Sequence, residues 1–391
     1  MDFAFTPEQQ AFRAEVRAFA EREWGPPSPN GGRDHPDPVR EDAFRRRCAQ
    51  AGYITLGWSE EHGGRGAGPI ERYIISQEMN RVGAPFPLYI ANVLGPLIIS
   101  YGNERLKDEM LTRIRAGDIN FVLGFSEPSA GSDLANMQTR AEKVEGGYRV
   151  YGQKLYGYPL EGDLISLAVR TDPNAPLRRG LSILLVDSQG EGFEAMSQRT
   201  MTHLPVGATF YDGLFVPEYR RLGAEGQGWD IIRETMERDR LGGIAYAHFR
   251  NLLEGLADWA RRHYADGKPL SEHGWVRDRI GQLAIEVEGT ELLQDIAAWK
   301  LAAGIELGTD ASVIKTFCTE VERRLVEFGG ELLGPQAAMT LDSGAEEIVG
   351  ALNFLYRQNV SITIAGGSNE IQRTIIALGL GLPREPRVAG R

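Results

Sequence analysis

The stretch Phe125-Ser126-Glu127-Pro128-Ser129-Ala130-Gly131-Ser132-Asp133 guides the interpretation of the whole chain. It follows the apolar run Phe121-Val122-Leu123-Gly124, which predicts a strand that ends at the Glu-Pro pair. The residues after it are small or hydroxylated, so their backbone N–H groups and hydroxyls can approach an anionic or flavin-like ligand closely. An ordinary loop rich in serine, glycine and proline has the same composition, and on composition alone both interpretations stay open.

The totals describe an ordinary soluble protein. The 391 residues, 42% of them apolar and 25% charged, allow two or three domains or one large composite. A net charge of −11 argues against a general binder of nucleic acid or of anionic membranes. The two cysteines, Cys48 and Cys318, cannot form a disulfide framework, which indicates a reducing compartment. The chain shows neither a signal-peptide pattern nor a run approaching ~18 apolar residues, so we expect a cytoplasmic enzyme without membrane insertion.

The first part of the chain predicts helices. Thr6-Pro7-Glu8-Gln9 has the pattern of a helix start, with Thr6 as the N-cap and Gln9 closing a capping box. Apolar residues then recur at helical spacing up to Trp24. Further helices are predicted at residues 41–52, 69–82, 87–101 and 104–116. We therefore predict an N-terminal helical domain over residues 1–118.

The pattern changes from Asn120 onward. Short strand-like runs occur at residues 121–126, 148–151, 163–170, 181–186 and 208–215, with no helical pattern between them. This arrangement predicts an antiparallel sheet or small barrel in a middle domain over residues 119–222. Gly190-Glu191-Gly192-Phe193-Glu194-Ala195 fits the G-x-G-x-x-A pattern of dinucleotide-binding folds, but residues 196–202 lack the apolar stripe of the helix that must follow. A Rossmann fold is therefore rejected.

From Gly228 to the end the pattern is helical again. Its apolar residues predict one long helix of about 35 residues, followed by helices at 273–304, 309–333, 344–358 and 368–379. Helices that are apolar on several sides are typical of a bundle that also buries a subunit interface. The predicted fold class is α+β: an N-terminal helical domain, a central antiparallel β domain, and a C-terminal four-helix bundle over residues 223–391.

The nonapeptide at 125–133 resembles the [T/S]-E-P-x-A-G-S-D signature of the acyl-CoA dehydrogenases, and the order of the three parts is the order in that family. The Gly-Ala-Pro run at 83–85, the tail Ile364-Ala365-Gly366-Gly367-Ser368-Asn369-Glu370-Ile371-Gln372-Arg373 and the run Gly381-Leu382-Pro383-Arg384-Glu385 resemble its bacterial branch for steroid side chains and other bulky substrates. The resemblance implies FAD as cofactor, α,β-desaturation of a bulky or branched acyl-CoA thioester, and an electron-transfer flavoprotein or similar acceptor. It also implies a homo- or hetero-tetramer built as a dimer of dimers.

The resemblance predicts an unusual catalytic site. Desaturation needs a carboxylate base on one face of the acyl chain, FAD on the other, and donors at the thioester carbonyl. Alignment on Ile371-Gln372-Arg373 places Gly366 where most members carry the catalytic Glu, so only its backbone N–H remains as a donor to the thioester. A minority of the family carries the base in a Glu-Arg pair on the helix after the sheet. That comparison predicts Asp239 as the base, with Arg240 as a substrate-binding residue.

Glu237 is the neighbouring candidate. Residues 237 and 239 point in nearly opposite directions on a helix, and Gly242 and Gly243 clear space on the face of Asp239, so Asp239 is preferred. The alternative is that residues 237–240 form a solvated, salt-bridged helix face.

The cofactor site predicted from the resemblance keeps some family residues and changes others. Ser132 is expected at the pyrophosphate or at CoA. The resemblance predicts that Tyr156 stacks where the family has Trp and that Tyr158 retains a hydroxyl where it has Thr. The alternative is that the two tyrosines pack a sheet edge. His263, with Arg262 beside it, stands where a partner subunit usually supplies an Arg, and Asp266 places a carboxylate unfavourably near a diphosphate. The predicted FAD contacts are Phe125, Ser126, Ser132, Tyr156, Tyr158, Arg262, His263, Ser368 and Glu370.

Two further hypotheses stay open. The substitutions at Gly366, Tyr158 and His263 also suit a subunit that has lost its own active site and completes the FAD site of a partner in a mixed tetramer. A flavoprotein of the same fold with other chemistry, such as monooxygenation, needs no base. The six histidines show no metal-binding spacing, and no metal site is predicted.

Overall fold

The computed structural model describes residues 3–29, 37–157, 164–201, 205–242, 247–340 and 343–383. The chain forms two compact units. The first, here called the helical unit, comprises Met1–Asp34, Pro69–Ala84 and Ile244–Arg391; the second, here called the sheet unit, comprises His35–Gly68 and Pro85–Gly243. Each unit buries its own apolar side chains. The division into three domains at residues 118 and 222 remains a prediction.

The α-helices among the described residues range from 7 to 29 residues in length, and some of them begin at a side-chain cap. In chain order they are α1 (Pro7–Glu23), α2 (Pro38–Gln50), α3 (Pro69–Arg81), α4 (Gly95–Tyr101), α5 (Glu104–Ala116), α6 (Gly228–Gly242), α7 (His248–Arg262), α8 (Gly274–Ala302), α9 (Asp310–Leu333), α10 (Glu347–Ile362) and α11 (Asn369–Gly379). The predicted capping box at Thr6 is confirmed. The Thr6 hydroxyl accepts from the N–H of Gln9 at 3.2 Å, and the Gln9 side chain accepts from the N–H of Thr6 at 3.1 Å.

The helical unit contains α1, α3 and α7 to α11. A buried carboxylate joins its first two helices. Glu78 on α3 accepts hydrogen bonds from Arg13 at 2.6 Å and from Arg17 at 2.9 Å, both on α1, and from Arg81 at 3.0 Å. The Glu78 side chain is 1% exposed. Three guanidinium groups therefore neutralise a carboxylate that would otherwise be costly to bury.

The sheet unit contains α2, α4, α5 and α6 together with the large sheet. Its strands are β1 (Phe121–Gly124), β2 (Arg140–Val144), β3 (Gly147–Gly157), β4 (Leu164–Arg170), β5 (Leu181–Asp187), β6 (Phe193–Arg199), β7 (Pro205–Pro217) and β8 (Arg221–Leu222). The strand order is β6-β7-β3-β2-β4-β5-β8, with β1 paired to β4. Most pairs are antiparallel, whereas β1 and β2 each pair with β4 in parallel. The predicted α+β fold class with an antiparallel-rich sheet is confirmed.

The sheet owes its stability to one apolar face. Tyr148 and Val150 of β3, Leu167 of β4, Leu184 of β5 and Val216 of β7 belong to a single buried cluster. These residues come from strands far apart in sequence, so the cluster fixes the register of the sheet against one-residue slips. The core therefore holds rigid both the end of β1 and the middle of β3, where the predicted cofactor residues lie.

Three details differ from the sequence analysis. Strands β2 and β6 were not predicted, and β6 covers much of the G-x-G-x-x-A sequence, which agrees with the rejection of a Rossmann helix there. The helix predicted as one element of about 35 residues is described as α6 and α7, separated by residues 243–246, which lie outside the described residues. A two-stranded hairpin, β9 (Tyr264–Ala265) and β10 (Lys268–Pro269), follows α7.

Within the described residues, no helix has the length and apolar character needed to span a membrane.

Candidate active site

The turn after β1 is closed by two backbone hydrogen bonds between Glu127 and Ala130, at 3.0 and 3.2 Å. Ser129, Gly131 and Ser132 are exposed. The backbone N–H groups of Gly131 and Ser132 donate to no acceptor among the described residues. A Cβ added at Gly131 would meet no protein atom within 4 Å, so packing within the chain does not require glycine there. The turn therefore offers N–H and hydroxyl donors to an anionic oxygen.

The two residues before this turn are tied to β3. The Phe125 side chain is buried, and its carbonyl oxygen accepts from the ammonium group of Lys154 at 3.0 Å. Ser126 is half-buried, and its carbonyl accepts from the N–H of Leu155 at 2.9 Å. Phe125 can therefore meet a flavin only through its backbone, whereas Ser126 can use its side chain.

Tyr156 is the aromatic residue that the sequence analysis placed beside the flavin. Its φ of +66° is unusual for a bulky residue, and the pairing of β3 with β7 shifts register between Leu155 and Gly157. Its side chain is 72% exposed. Bulges and strained residues of this kind aim a side chain away from the sheet and occur often at functional sites. Tyr158, the second predicted aromatic contact, lies outside the described residues.

The tail turn in the helical unit is formed by two glycines in the left-handed region, Gly366 at φ +66° and Gly367 at φ +89°. The Gln372 side-chain amide donates to both of their carbonyl oxygens at 3.2 Å. Gln372 is fully buried, and its Oε1 has no hydrogen-bond partner among the described residues. The turn therefore carries a backbone N–H at 366 and no carboxylate.

A buried lysine supports this turn. The Lys315 ammonium group on α9 donates to the Thr363 carbonyl at 3.0 Å and to the Asn369 side-chain oxygen at 2.7 Å. Asn369, which is buried, also bonds the hydroxyl of Thr319. These contacts fix both ends of the segment 363–369 to α9. Lys315, Asn369 and Gln372 were not assigned a role from the sequence, although a lysine within an apolar helix is the kind of signal that indicates a buried polar contact.

Ser368 and Glu370, both predicted to contact FAD, begin α11. The Ser368 hydroxyl caps the helix by accepting from the N–H of Ile371 at 3.4 Å. Glu370 is exposed, and its pKa is lowered because its carboxylate accepts from its own backbone N–H and from Ser368. The serine thus has a structural role in the helix cap, and the glutamate contributes a negative charge at the same helix start.

His263 and Arg262 end α7. The His263 ring stacks on Trp259 with ring centroids 3.5 Å apart, and its Nδ1 lies 3.0 Å from the Trp259 carbonyl. Nδ1 therefore donates to that carbonyl, and Nε2 has no partner among the described residues. Arg262 forms an ion pair with Glu346 at 2.9 Å. Of the two, His263 has a ring atom available for a ligand, and the charge of Arg262 is already paired.

Asp266 has a local explanation that the sequence analysis did not give. It adopts φ +51°, Gly267 adopts φ +80°, and together they form the two-residue turn between β9 and β10. Asp-Gly is a preferred sequence for such a turn because both positions need positive φ. The exposed carboxylate is thus explained by hairpin geometry, independently of any diphosphate.

Asp239 and Arg240 lie in the last part of α6, but their side chains are outside the described residues. Glu237, on the same helix, is exposed. The roles of Asp239 and Arg240 remain predictions.

The comparisons with known proteins agree with this architecture. The acyl-CoA dehydrogenase N-terminal domain family matches residues 6–118, and the acyl-CoA dehydrogenase C-terminal domain family matches residues 226–381. The chain belongs to the acyl-CoA dehydrogenase family. Members of this family are FAD flavoproteins, and the chain is an oxidoreductase that acts on acyl-CoA.

Individual relatives cover nearly the entire chain. Acyl-CoA dehydrogenase FadE26 of Mycobacterium tuberculosis is 32% identical over 99% of this chain and 100% of its own length. The crystal structure of the ChsE4-ChsE5 complex from the same organism contains a chain that superposes with a TM-score of 0.86 at 30% identity, covering 98% of this chain and 100% of that one. The Tcur3481-Tcur3483 steroid ACAD gives a TM-score of 0.86 at 31% identity with the same coverage.

The residues of this chain fit FAD in chemical type. The sheet unit offers unpaired N–H groups at Gly131 and Ser132 for a diphosphate and an exposed Tyr156 ring for a flat flavin. In the helical unit, the imidazole Nε2 of His263 is available to a ligand, whereas Glu370 adds a negative charge. Within the sheet unit alone, the N–H donors and the Tyr156 ring are of the chemical type that suits the cofactor, and the exposed carboxylate of Asp133 follows Ser132.

Proposed function

We propose that this chain catalyses α,β-desaturation of a bulky or branched acyl-CoA thioester with bound FAD. The observation that supports this proposal best is the Gly366–Gly367 turn, in which Lys315, Asn369 and Gln372 hold a backbone N–H without a side chain. Such a turn supplies a donor for the thioester oxygen and leaves room beside it. It also requires that the base come from another element.

We infer that Asp239 is this base. Proton abstraction next to a thioester requires a carboxylate within hydrogen-bond reach of the α carbon, and Asp239 is the residue that the family resemblance places there, near the end of α6. Arg240 follows it and is assigned to substrate binding. When bound, FAD would supply the acceptor for the hydride that leaves the β carbon. The protein's own residues have the tasks of orienting the thioester, excluding water and holding the α proton.

The cofactor contacts follow from the sheet unit and the helical unit separately. We assign Ser126 and Tyr156 to the flavin ring, and Ser132 to the pyrophosphate or CoA. His263, rather than the paired Arg262, is assigned to the diphosphate of a FAD bound with a neighbouring subunit. Ser368 and Glu370 are assigned to the helix start beside FAD. An electron-transfer flavoprotein or similar acceptor would reoxidise the enzyme.

The bulk of the substrate is inferred from the relatives. The Tcur3481-Tcur3483 structure is described as a steroid ACAD and shares 31% of its residues with this chain. Glycine at 366 removes a side chain from the acyl site, which suits a substrate wider than a linear fatty acyl group. A steroid side-chain CoA ester is therefore expected to react faster than butyryl-CoA.

Anaerobic bleaching of the flavin tests the base. We expect a steroid side-chain CoA ester to bleach the wild-type flavin, and Asp239→Asn to slow bleaching about 10²- to 10⁴-fold while FAD stays bound. Glu237→Gln is the matched control, because Glu237 is exposed on the same helix. It should bleach at the wild-type rate. Unchanged bleaching in Asp239→Asn would eliminate Asp239 as the base.

A second candidate function is that of a subunit without its own active site. The observation in its favour is that two of the similar structures, ChsE4-ChsE5 and Tcur3481-Tcur3483, are each described by two protein names. In a mixed tetramer this chain would complete the FAD site of a partner through His263. Flavin that appears only when the partner is co-produced would favour this role. Flavin reduced only by a nicotinamide-linked reductase would instead favour monooxygenation.

A further inference from the structure

A buried ion pair lies under the turn that follows β1. The Lys154 ammonium group and the Glu127 carboxylate are 2.8 Å apart, and their side chains are 2% and 4% exposed. The sequence analysis assigned neither residue a role, although Glu127 lies within the stretch 125–133. The proposed reaction uses neither group, so their burial requires a separate explanation.

The pair joins three backbone segments. Glu127 Oε1 accepts from the N–H of Thr139 at 2.9 Å, and Oε2 accepts from the N–H of Gln138 at 2.6 Å. The Lys154 ammonium group also donates to the Phe125 carbonyl at 3.0 Å and lies 3.8 Å from the Met137 sulfur. All three donors of the ammonium group are thereby used. The turn, the segment before β2, and β3 are held together at one point.

The charges of the pair are mutually dependent. Burial lowers the pKa of the Lys154 ammonium group to about 8, and the Glu127 carboxylate opposes that shift. Burial raises the pKa of Glu127, but the Lys154 cation and the N–H of Gln138 lower it overall. Removing either partner would therefore leave an uncompensated charge in the interior.

Stability alone does not explain such a pair. Apolar residues of similar volume often replace a buried ion pair without loss of stability. They cannot reproduce directed hydrogen bonds to three backbone segments. What the pair supplies in addition to packing is the exact placement of the Phe125 carbonyl and of position 154, two residues before the bulged Tyr156.

We propose that Glu127 and Lys154 are positioning residues for FAD, which fix the turn of residues 125–133 and the Tyr156 bulge relative to each other. This inference rests on the proposed function, because it takes both elements to contact the flavin. The two elements belong to the same compact unit, so the pair sets their spacing within that unit. Neither residue touches the reacting atoms.

The test uses FAD-loaded protein with Lys154→Met and the double variant Glu127→Leu/Lys154→Met. Two readouts are compared. The first is the rate of FAD release on dilution, measured from the recovery of flavin fluorescence, and the second is the visible circular dichroism of the bound flavin. We expect release to become about tenfold faster and the dichroism to change in both variants, as is typical when a supporting contact is lost. Should Lys154→Met fail to fold, Lys154→Arg gives the same comparison, since a planar guanidinium cannot replace three donors from one atom.

Glu109→Gln is the matched control. Glu109 on α5 pairs with Arg220 at 2.5 Å in the same unit, and neither residue belongs to the turn or to the bulge. It should retain wild-type release and dichroism. A folded Lys154→Met or double variant with wild-type release and dichroism would overturn the inference alone. A wild-type chain that takes up no FAD, alone or with a partner chain, would overturn the proposed function and this inference with it.

Discussion

Gly366 shows how one backbone angle shapes the candidate site. Its φ of +66° lies in the left-handed region, where a Cβ approaches the following carbonyl oxygen too closely. Gln372 ties the carbonyls of Gly366 and Gly367 together, so the turn cannot easily relax to another conformation. Glycine at 366 therefore removes a carboxylate and also leaves an unstrained backbone.

The same substitution at two glycines tests this interpretation of the backbone. Gly366→Ala should lower the free energy of unfolding by about 1 kcal/mol, because alanine is strained at positive φ. Gly330→Ala, inside α9, should raise it by about 0.5–1 kcal/mol, because an added Cβ there meets no atom within 4 Å. Urea unfolding of both variants measures the difference. Equal effects at the two sites would contradict the strain assigned to Gly366.

The site residues differ in how far the sequence could predict them. Tyr156 and the glycine at 366 were recognisable from motif positions alone. Glu127, Lys154, Lys315 and Gln372 were not, because their roles depend on contacts between segments distant in sequence. Asp266 was interpreted from its charge, whereas its positive φ and the following glycine explain it through the hairpin turn. Local patterns thus predict turns and caps well and buried polar pairs poorly.

At the scale of elements, strong local signals were sufficient for the long helices. The capping box at Thr6 predicted the start of α1 to the residue. Strand β6 was missed because its residues are almost all exposed, so no alternation of buried and exposed side chains marks it. Strand β1 was predicted, but its parallel pairing with β4 depends on tertiary contacts that no sequence period reports.

The junction of α1 and α3 depends on Glu78. We expect Glu78→Gln to lower the free energy of unfolding by about 3 kcal/mol, because three arginines would lose their buried carboxylate. Glu71→Gln on the same helix is the matched control. Among the described residues, its carboxylate accepts a hydrogen bond from the neutral Gln9 side chain and forms no ion pair, so its effect should stay within about 0.5 kcal/mol. Chemical denaturation of the three proteins measures both values.

The effect of Glu78 should depend on pH in a defined direction. Burial alone raises the pKa of Glu78, but hydrogen bonds from Arg17, Arg13 and Arg81 lower it to about 2, below its ordinary value of 4.5. A carboxylate with a lowered pKa contributes fully to the free energy of unfolding above pH 4.5. That contribution is lost as the pH falls toward about 2. The difference between wild type and Glu78→Gln should therefore shrink below pH 4.5. A difference that grows on acidification would contradict the ion-pair assignment.

At the scale of the whole molecule, the chain divides into a helical unit and a sheet unit, and the proposed cofactor residues occur in both. The sheet unit carries the donors at Gly131 and Ser132 and the exposed Tyr156 ring. The helical unit carries the Gly366 turn and His263. FAD binding is therefore the property that the proposed residues of both units share. It has to be tested before the base or the substrate.

The most direct measurement is the FAD content of the purified protein, from its visible absorbance, with the chain produced alone and together with a candidate partner chain of the proposed mixed tetramer. The account predicts a yellow protein that holds FAD and whose flavin bleaches anaerobically with a steroid side-chain CoA ester. A colourless protein that takes up no FAD, even with the partner chain present, would contradict it.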